Sequence, residues 1–189
     1  PGPGAGAGGG GGLPPHVFAK LLGVGGVKFP PLDPGGMGIE MEGGKPGWCD
    51  ALNGLPGLFG SSLSETYELG RLLDFLLATL AEKSAGAVEL PVEQADLLRD
   101  VGAQLVVYHA TLDSGRDFRY WDATANAREA YRERTRLGFD GCTETIDFAT
   151  LTPRLRALRD KVASGIARAE ELTAGIPPTY FTYEALAYD

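Results

Sequence analysis

The sequence predicts a mainly α fold, with a Gly/Pro-rich loop region ahead of the helices and a short β or extended segment behind them. Three observations carry this. A helix-capping pattern, Ser62-Leu63-Ser64-Glu65, runs directly into leucines at helical spacing. A second apolar stripe follows Pro91 and a third follows Pro153. Between them lies a polar stretch dense in Arg and Glu, as an amphipathic helix with a wide solvated face would be.

Residues 1–15 are Pro, Gly and Ala in low complexity, with too little apolar surface to offset backbone ordering, and are expected to be disordered. Residues 16–62 read as a loop region holding a short helix at His16–Leu22. The run Gly23-Val24-Gly25-Gly26-Val27-Lys28 is glycine-rich, but it lacks the Lys-Ser/Thr ending of a phosphate loop.

The spacing then predicts a helix near 63–83, with Leu69, Leu72, Leu73, Leu76, Leu77 and Leu80 on one face. A second is expected near 91–113, with Leu97 or Leu98, Val101, Leu105, Tyr108 and Leu112 in its stripe and His109 as a core histidine. Joined by the linker 84–90, these two make a helical hairpin, the repeating unit of an α/α barrel. The polar helix is placed near 121–138, with Arg128, Glu129, Arg132, Glu133, Arg134 and Arg136 on a solvated outer face. The last is placed near 153–173, capped by Thr152, with Leu155, Leu158, Val162, Ile166, Ala169 and Leu172 buried. Pro177-Pro178 end it, and residues 179–188, rich in Tyr, Phe and Thr, read as a strand or extended arm.

The formal net charge of -8 excludes a basic nucleic-acid surface. The most apolar run, 69–81, is short and broken by Arg71 and Asp74, so no membrane partner is expected. Cys49 and Cys142 form no CxxC pair, which favours free thiols in a reducing, cytoplasmic setting, although a single disulfide stays open. His16 and His109 fall in no metal-binding pattern, and no metal is expected.

The candidate site is residues 44–62, GKPGWCDALNGLPGLFGSS. Glycine and proline at this density fix a backbone path instead of filling a core. Trp48 offers a plate for a pyranose ring, and Asp50, two residues on, offers a carboxylic acid that can protonate a glycosidic oxygen. Trp48, Leu52 and Leu55 can supply the apolar surroundings that keep such an acid protonated. Asn53 both donates and accepts, which suits vicinal hydroxyls, and Lys45 can bond another. Glu40 and Glu42 alternate with Ile39 and Met41, so in an extended segment both carboxylates point to one side, toward a sugar subsite or as a second carboxylate. Each of these has a plainer alternative. Asp50 and Asn53 can bond their own backbone in a turn, and Glu40, Glu42 and Lys45 can be solvated.

Trp48, Asp50 and Asn53 match in type and spacing the G-D-W-N-D-G-M-N loop of inverting disaccharide phosphorylases of the cellobiose phosphorylase type, glycoside hydrolase family 94, which this segment resembles. Cys49 stands for the family's Asn, Ala51 for its Gly, and Gly47 for its first Asp. Large bacterial proteins described as cellobiose phosphorylases resemble the whole 44–62 run and also the tail PTYFTYE at 178–184, so that the likeness spans 36–189.

The resemblance implies that 63–189 are helical hairpins of an incomplete α/α barrel of the six-hairpin type, and that the chain is a fragment of a larger enzyme. It implies Asp50 as general acid in the inverting cleavage of an oligosaccharide or disaccharide, by phosphorolysis or hydrolysis. No cofactor is implied beyond inorganic phosphate as co-substrate of a phosphorylase. A partial barrel would leave an apolar flank open to self-association. The alternative is a non-catalytic helical module that binds carbohydrate or acts as a scaffold.

Overall fold

A computed structural model describes residues 13–40, 60–83 and 85–182. These are mainly helical, with two small antiparallel sheets. Helix α1 spans Pro15–Lys28, α2 Leu63–Ala81, α3 Val92–Ala110, α4 Arg116–Thr135 and α5 Phe148–Leu172. Strands β1 (Ile39–Glu40), β2 (Gly60–Ser62) and β5 (Tyr180–Thr182) form one sheet in the order β1-β2-β5. Strands β3 (Ala87–Pro91) and β4 (Thr143–Asp147) form the other.

Helix α2 follows its sequence signals closely. Ser62 Oγ accepts from the Glu65 amide at 3.4 Å, and Leu69, Leu73, Leu76 and Leu80 are buried. The second half of the capping box is not used, because the Glu65 carboxylate pairs instead with Lys28 Nζ at 2.6 Å. Helix α3 buries Leu97, Val101 and Leu105 as expected.

The helix pairing differs from the expected hairpin. Helix α2 packs chiefly on α5 and α3 on α4, while α1 packs against both α2 and α3. The glycines read as a loop make this possible, since α1 continues past Leu22 and carries Gly23, Gly25 and Gly26 on its buried face. A Cβ at Gly23 would lie 2.7 Å from the Gln94 side chain, and one at Gly26 3.2 Å from Leu98 Cδ2. Bare Cα atoms let neighbouring side chains press onto the helix, a use of glycine unrelated to phosphate.

The linker 84–90 contains a strand. Val88 faces Ile146 and Leu90 faces Glu144 across the β3–β4 ladder, and Val88, Leu90 and Ile146 are buried. Helix α4 starts at Arg116, a turn and a half ahead of the expected position. Helix α5 starts at Phe148, not at Pro153, because Asp147 is the better cap: it accepts from the Thr150 amide at 2.7 Å and from its hydroxyl at 2.9 Å. Pro153 sits in the second turn.

Three residues expected inside are outside. His109 lies in the last turn of α3 and is exposed, with its ring edge-on to Tyr108. Leu112 lies beyond the end of α3, and Leu172 occupies the last turn of α5 past the packed core; both are exposed. At the other end of the chain, residues 1–12 of the expected disordered segment lie outside the described residues. Leu13, however, packs on the core and Pro15 opens α1, so the folded part begins ahead of residue 16.

Candidate functional site

Of the six residues singled out from the sequence, Lys45, Trp48, Asp50, Asn53 and Glu42 lie outside the described residues; Glu40 is described. Its position bears directly on the others. In the β1–β2 ladder Ile39 faces Ser62 and Glu40 faces Ser61, so the points where the chain leaves at 40 and returns at 60 are neighbours. Strand β5 borders β2 on its other edge, with Phe181 opposite Ser61, which places residues 180–182 of the expected extended tail against the return strand; residues 183–188 lie outside the described residues.

A turn that sequence reasoning did not single out holds this ladder in place. Asp33 is 2% exposed and accepts hydrogen bonds from the Met37 amide at 3.0 Å, the Gly38 amide at 2.7 Å and Ser61 Oγ at 2.7 Å. The Asp33 amide donates to Gly38 O, and the Glu40 amide donates to Pro31 O. Asp33 thus closes its own hairpin and ties it to β2. The legible signal was Asp33-Pro34-Gly35-Gly36, a turn sequence whose Gly36 has a φ of 71°. The hairpin rests on α5, where the Gly36 carbonyl occupies the space a side chain at Gly165 would need.

Glu40 reaches away from the ladder to α4. Its Oε1 accepts from Trp121 Nε1 at 2.5 Å, and its Oε2 lies 3.6 Å from Arg128 Nη1. Burial holds the Glu40 carboxyl above its ordinary value, against the Trp121 hydrogen bond and the Arg128 charge, which lower it. Trp121, Thr124 and Arg128 recur at i, i+3 and i+7 and so share one face of α4. Arg128 was expected on the solvated face, yet its side chain is only 12% exposed. Its Nε bonds Glu129 at 2.9 Å, while Nη1 is buried and, among the described residues, has no hydrogen-bond partner beyond its ion-pair contact with Glu40. Glu129, Glu133 and Arg136 keep the exposed positions expected of them.

Behind the hairpin is a second polar cluster. Lys161 of α5 is 4% exposed, with Nζ 4.1 Å from the Tyr108 ring centroid and 5.1 Å from that of Tyr120. Tyr108 donates to Asp117 at 3.0 Å, and Asp117 pairs with Arg168 at 2.9 Å. Burial depresses the Lys161 ammonium below its usual range, partly offset by Asp117. Burial also raises the Tyr120 phenol, whose hydroxyl has no hydrogen-bond partner among the described residues.

The chain was compared with models of known families and with curated proteins. It matches none of them. The reading of the site therefore rests on its own residues. Cys142 is an exposed free thiol, and Cys49 lies outside the described residues. Among the described residues, no helix is long and apolar enough to cross a membrane.

Lys161 makes stability depend on pH with a definite sign. With its folded value below the unfolded value of about 10.4, the native state binds fewer protons between the two, so stability rises with pH across that window. Urea titrations of the wild type and Lys161→Met should show the wild type gaining on the variant as the pH rises toward about 10.4. A difference that stays constant up to that pH would mean that the ammonium is not desolvated.

Proposed function

We propose that the chain carries the acid-bearing part of an enzyme that cleaves a glycosidic bond with inversion, with Asp50 as general acid and Trp48, Asn53, Lys45, Glu40 and Glu42 as substrate contacts. The observation that carries this reading is the Trp48–Asp50–Asn53 spacing in a Gly/Pro-dense segment whose flanking strands pair with each other. A proton donor needs a fixed position relative to the bond it cleaves, and the ladder brings the two ends of its segment side by side. Glu40, held half-buried beside Trp121 and Arg128, adds a second carboxylate next to that segment.

On this reading the substrate is a disaccharide or oligosaccharide. Phosphate is the nucleophile in a phosphorylase, and an activated water is the nucleophile in a hydrolase, where the two carboxylates stand about 6.5–9.5 Å apart. The α2–α5 and α3–α4 pairs are then part of an α/α barrel in a cytoplasmic enzyme. The exposed apolar side chains Val106, Val107, Leu112 and Phe118, around the α3–α4 turn, form the flank through which the chain self-associates. Cys49 and Ala51, which depart from the resembled motif, favour the second reading, a helical module that binds carbohydrate without cleaving it.

Proton NMR of the sugar anomeric region decides between them. The intact protein, incubated with a panel of disaccharides with and without inorganic phosphate, should release a product whose first-formed anomer is opposite to that of the bond cleaved. Dependence on phosphate identifies phosphorolysis. A retained anomer would overturn inversion, and binding without turnover in either condition would establish the module.

A further inference from the structure

At the turn between α3 and α4 lies a cavity of about 220 Å³. Sites for drug-sized ligands run to roughly 300–1,000 Å³, so this one suits a smaller molecule. Val107 and Tyr108 of α3 and Tyr120 of α4 give it apolar walls, with the two tyrosine rings 5.0 Å apart between centroids. Gln104, Thr111, Arg116 and Arg119 bring the polar groups. The Gln104 side chain makes no hydrogen bond among the described residues. Of the exposed apolar flank around this turn, only Val107 lines the cavity.

The two guanidiniums differ in how far their charge is met. Arg119 is closed by Asp113, whose two oxygens accept from Nη2 at 2.6 and 2.7 Å. Arg116 is held mainly by a ring, with Cζ 4.2 Å from the Tyr108 centroid. Its Nη1 reaches the Thr111 carbonyl only at 3.5 Å, and its Nε stands 3.5 Å from Asp117 Oδ1. Asp117 is committed elsewhere, because Oδ1 accepts from the Tyr108 hydroxyl and Oδ2 from Arg168. Lys161, over the other contacts of the Tyr108 ring at 4.1 Å, draws on the same Asp117 and on Asp33. Four cations, Arg116, Arg119, Arg168 and Lys161, thus meet three carboxylates, Asp33, Asp113 and Asp117. The excess falls on Arg116, the cavity's guanidinium without a closed partner. Its side chain is 32% exposed and within a ligand's reach.

A guanidinium held against a ring presents a planar fork of N–H groups that matches a carboxylate. One unmatched positive charge favours a monoanion over a phosphate dianion. The apolar walls favour a ligand with an apolar body, which inorganic phosphate lacks. We propose that this cavity binds a small monocarboxylate with an apolar or aromatic body, its carboxylate on Arg116 and Gln104 and its body against Val107, Tyr108 and Tyr120. The site uses none of the residues assigned to sugar cleavage and does not depend on that reading.

Fluorine NMR of two probes with the intact protein at neutral pH tests this: para-fluorobenzoate, which is aromatic, and trifluorobutyrate, which is aliphatic. The signal of at least one should broaden and shift saturably, at about millimolar affinity. The neutral amide of that probe should bind roughly tenfold more weakly or worse, and so should the carboxylate to Arg116→Gln, because each loses a charge-assisted hydrogen bond. Arg119→Gln should bind nearly as well as the wild type, since Asp113 already holds that guanidinium. Val107→Trp, at an exposed position, should fill the cavity and abolish binding without loss of helical circular dichroism. Sodium phosphate should not displace the probe. Absence of saturable binding by both carboxylates overturns the proposal, whatever the variants do. Equal binding of the amide, or unchanged binding by Arg116→Gln, overturns carboxylate recognition at Arg116. Unchanged binding by Val107→Trp overturns the location, and displacement by phosphate overturns the ligand class in favour of a general anion site.

Discussion

Gly165→Ala is expected to destabilise the protein by about 3 kcal/mol, near the upper end for inserting a methyl group into a packed site. For a chain of this size that corresponds to a fall in Tm of roughly 6–12 °C. The reason is backbone, not side chain. A Cβ at Gly165 would stand 1.7 Å from the Gly36 carbonyl oxygen and 2.4 Å from its carbon. No rotamer change relieves such an overlap, so the 31–40 hairpin has to lift from α5. Lifting it draws on Asp33, whose carboxylate holds Met37, Gly38 and Ser61 together, and removes the Gly36 cover from Lys161 Nζ. Working against this, alanine is the better helix former by about 1 kcal/mol. Gly102 in α3 isolates that opposing effect, because a Cβ there meets nothing within 4 Å. Gly102→Ala should therefore stabilise the protein by up to about 1 kcal/mol. Urea titrations of the two variants side by side should give opposite signs. If both stabilise, the hairpin does not lie on α5 as described.

These two glycines illustrate what the sequence conveyed and what it did not. Leucines at 69, 73, 76 and 80 announced α2 because burial of one helix face leaves a direct periodic trace. Gly23, Gly25 and Gly26 left the opposite trace. Glycine disfavours helices locally, so the stretch read as loop, whereas its value lies in the contacts of α1 with Gln94 and Leu98. The expected α2–α3 hairpin failed for a related reason. Adjacency in the chain is a fair guide to adjacency in space, but here the earlier helix α1 packs on both, and the connection between them pairs as β3 with β4. Strands of five residues carry too few alternations to stand out.

Within the candidate site, Glu40 was legible from its alternation with Ile39, but its partners were not. Arg128 lies among so many Arg and Glu residues that charge alone pointed to solvent. The distinguishing signal was Trp121, seven residues earlier on the same face, with Thr124 buried between them. Asp33 was hidden by its ordinary turn chemistry. Only the fold shows that its carboxylate also takes the Ser61 hydroxyl from across the sheet.

Asp50→Asn is expected to lower turnover on a natural disaccharide by about 10²–10⁴-fold, the usual contribution of a positioned general acid. The substitution is nearly isosteric and keeps an oxygen acceptor, so the protein should fold and bind sugar as before. What it removes is the proton that must reach the glycosidic oxygen as the bond breaks. A poor leaving group depends on that proton, because a sugar alkoxide cannot depart unprotonated near neutral pH. An activated aryl glycoside does not, since its aryl oxide leaves as an anion. The loss in kcat should accordingly collapse toward unity on a dinitrophenyl glycoside of the same sugar, with KM little changed on either substrate. The pH profile adds a second reading: the high-pH fall in kcat, which reports deprotonation of the acid, should disappear in the variant. Equal losses on both substrates would make Asp50 a structural turn residue of the segment. No loss on either would remove it from the chemistry altogether and leave the non-catalytic helical module as the reading.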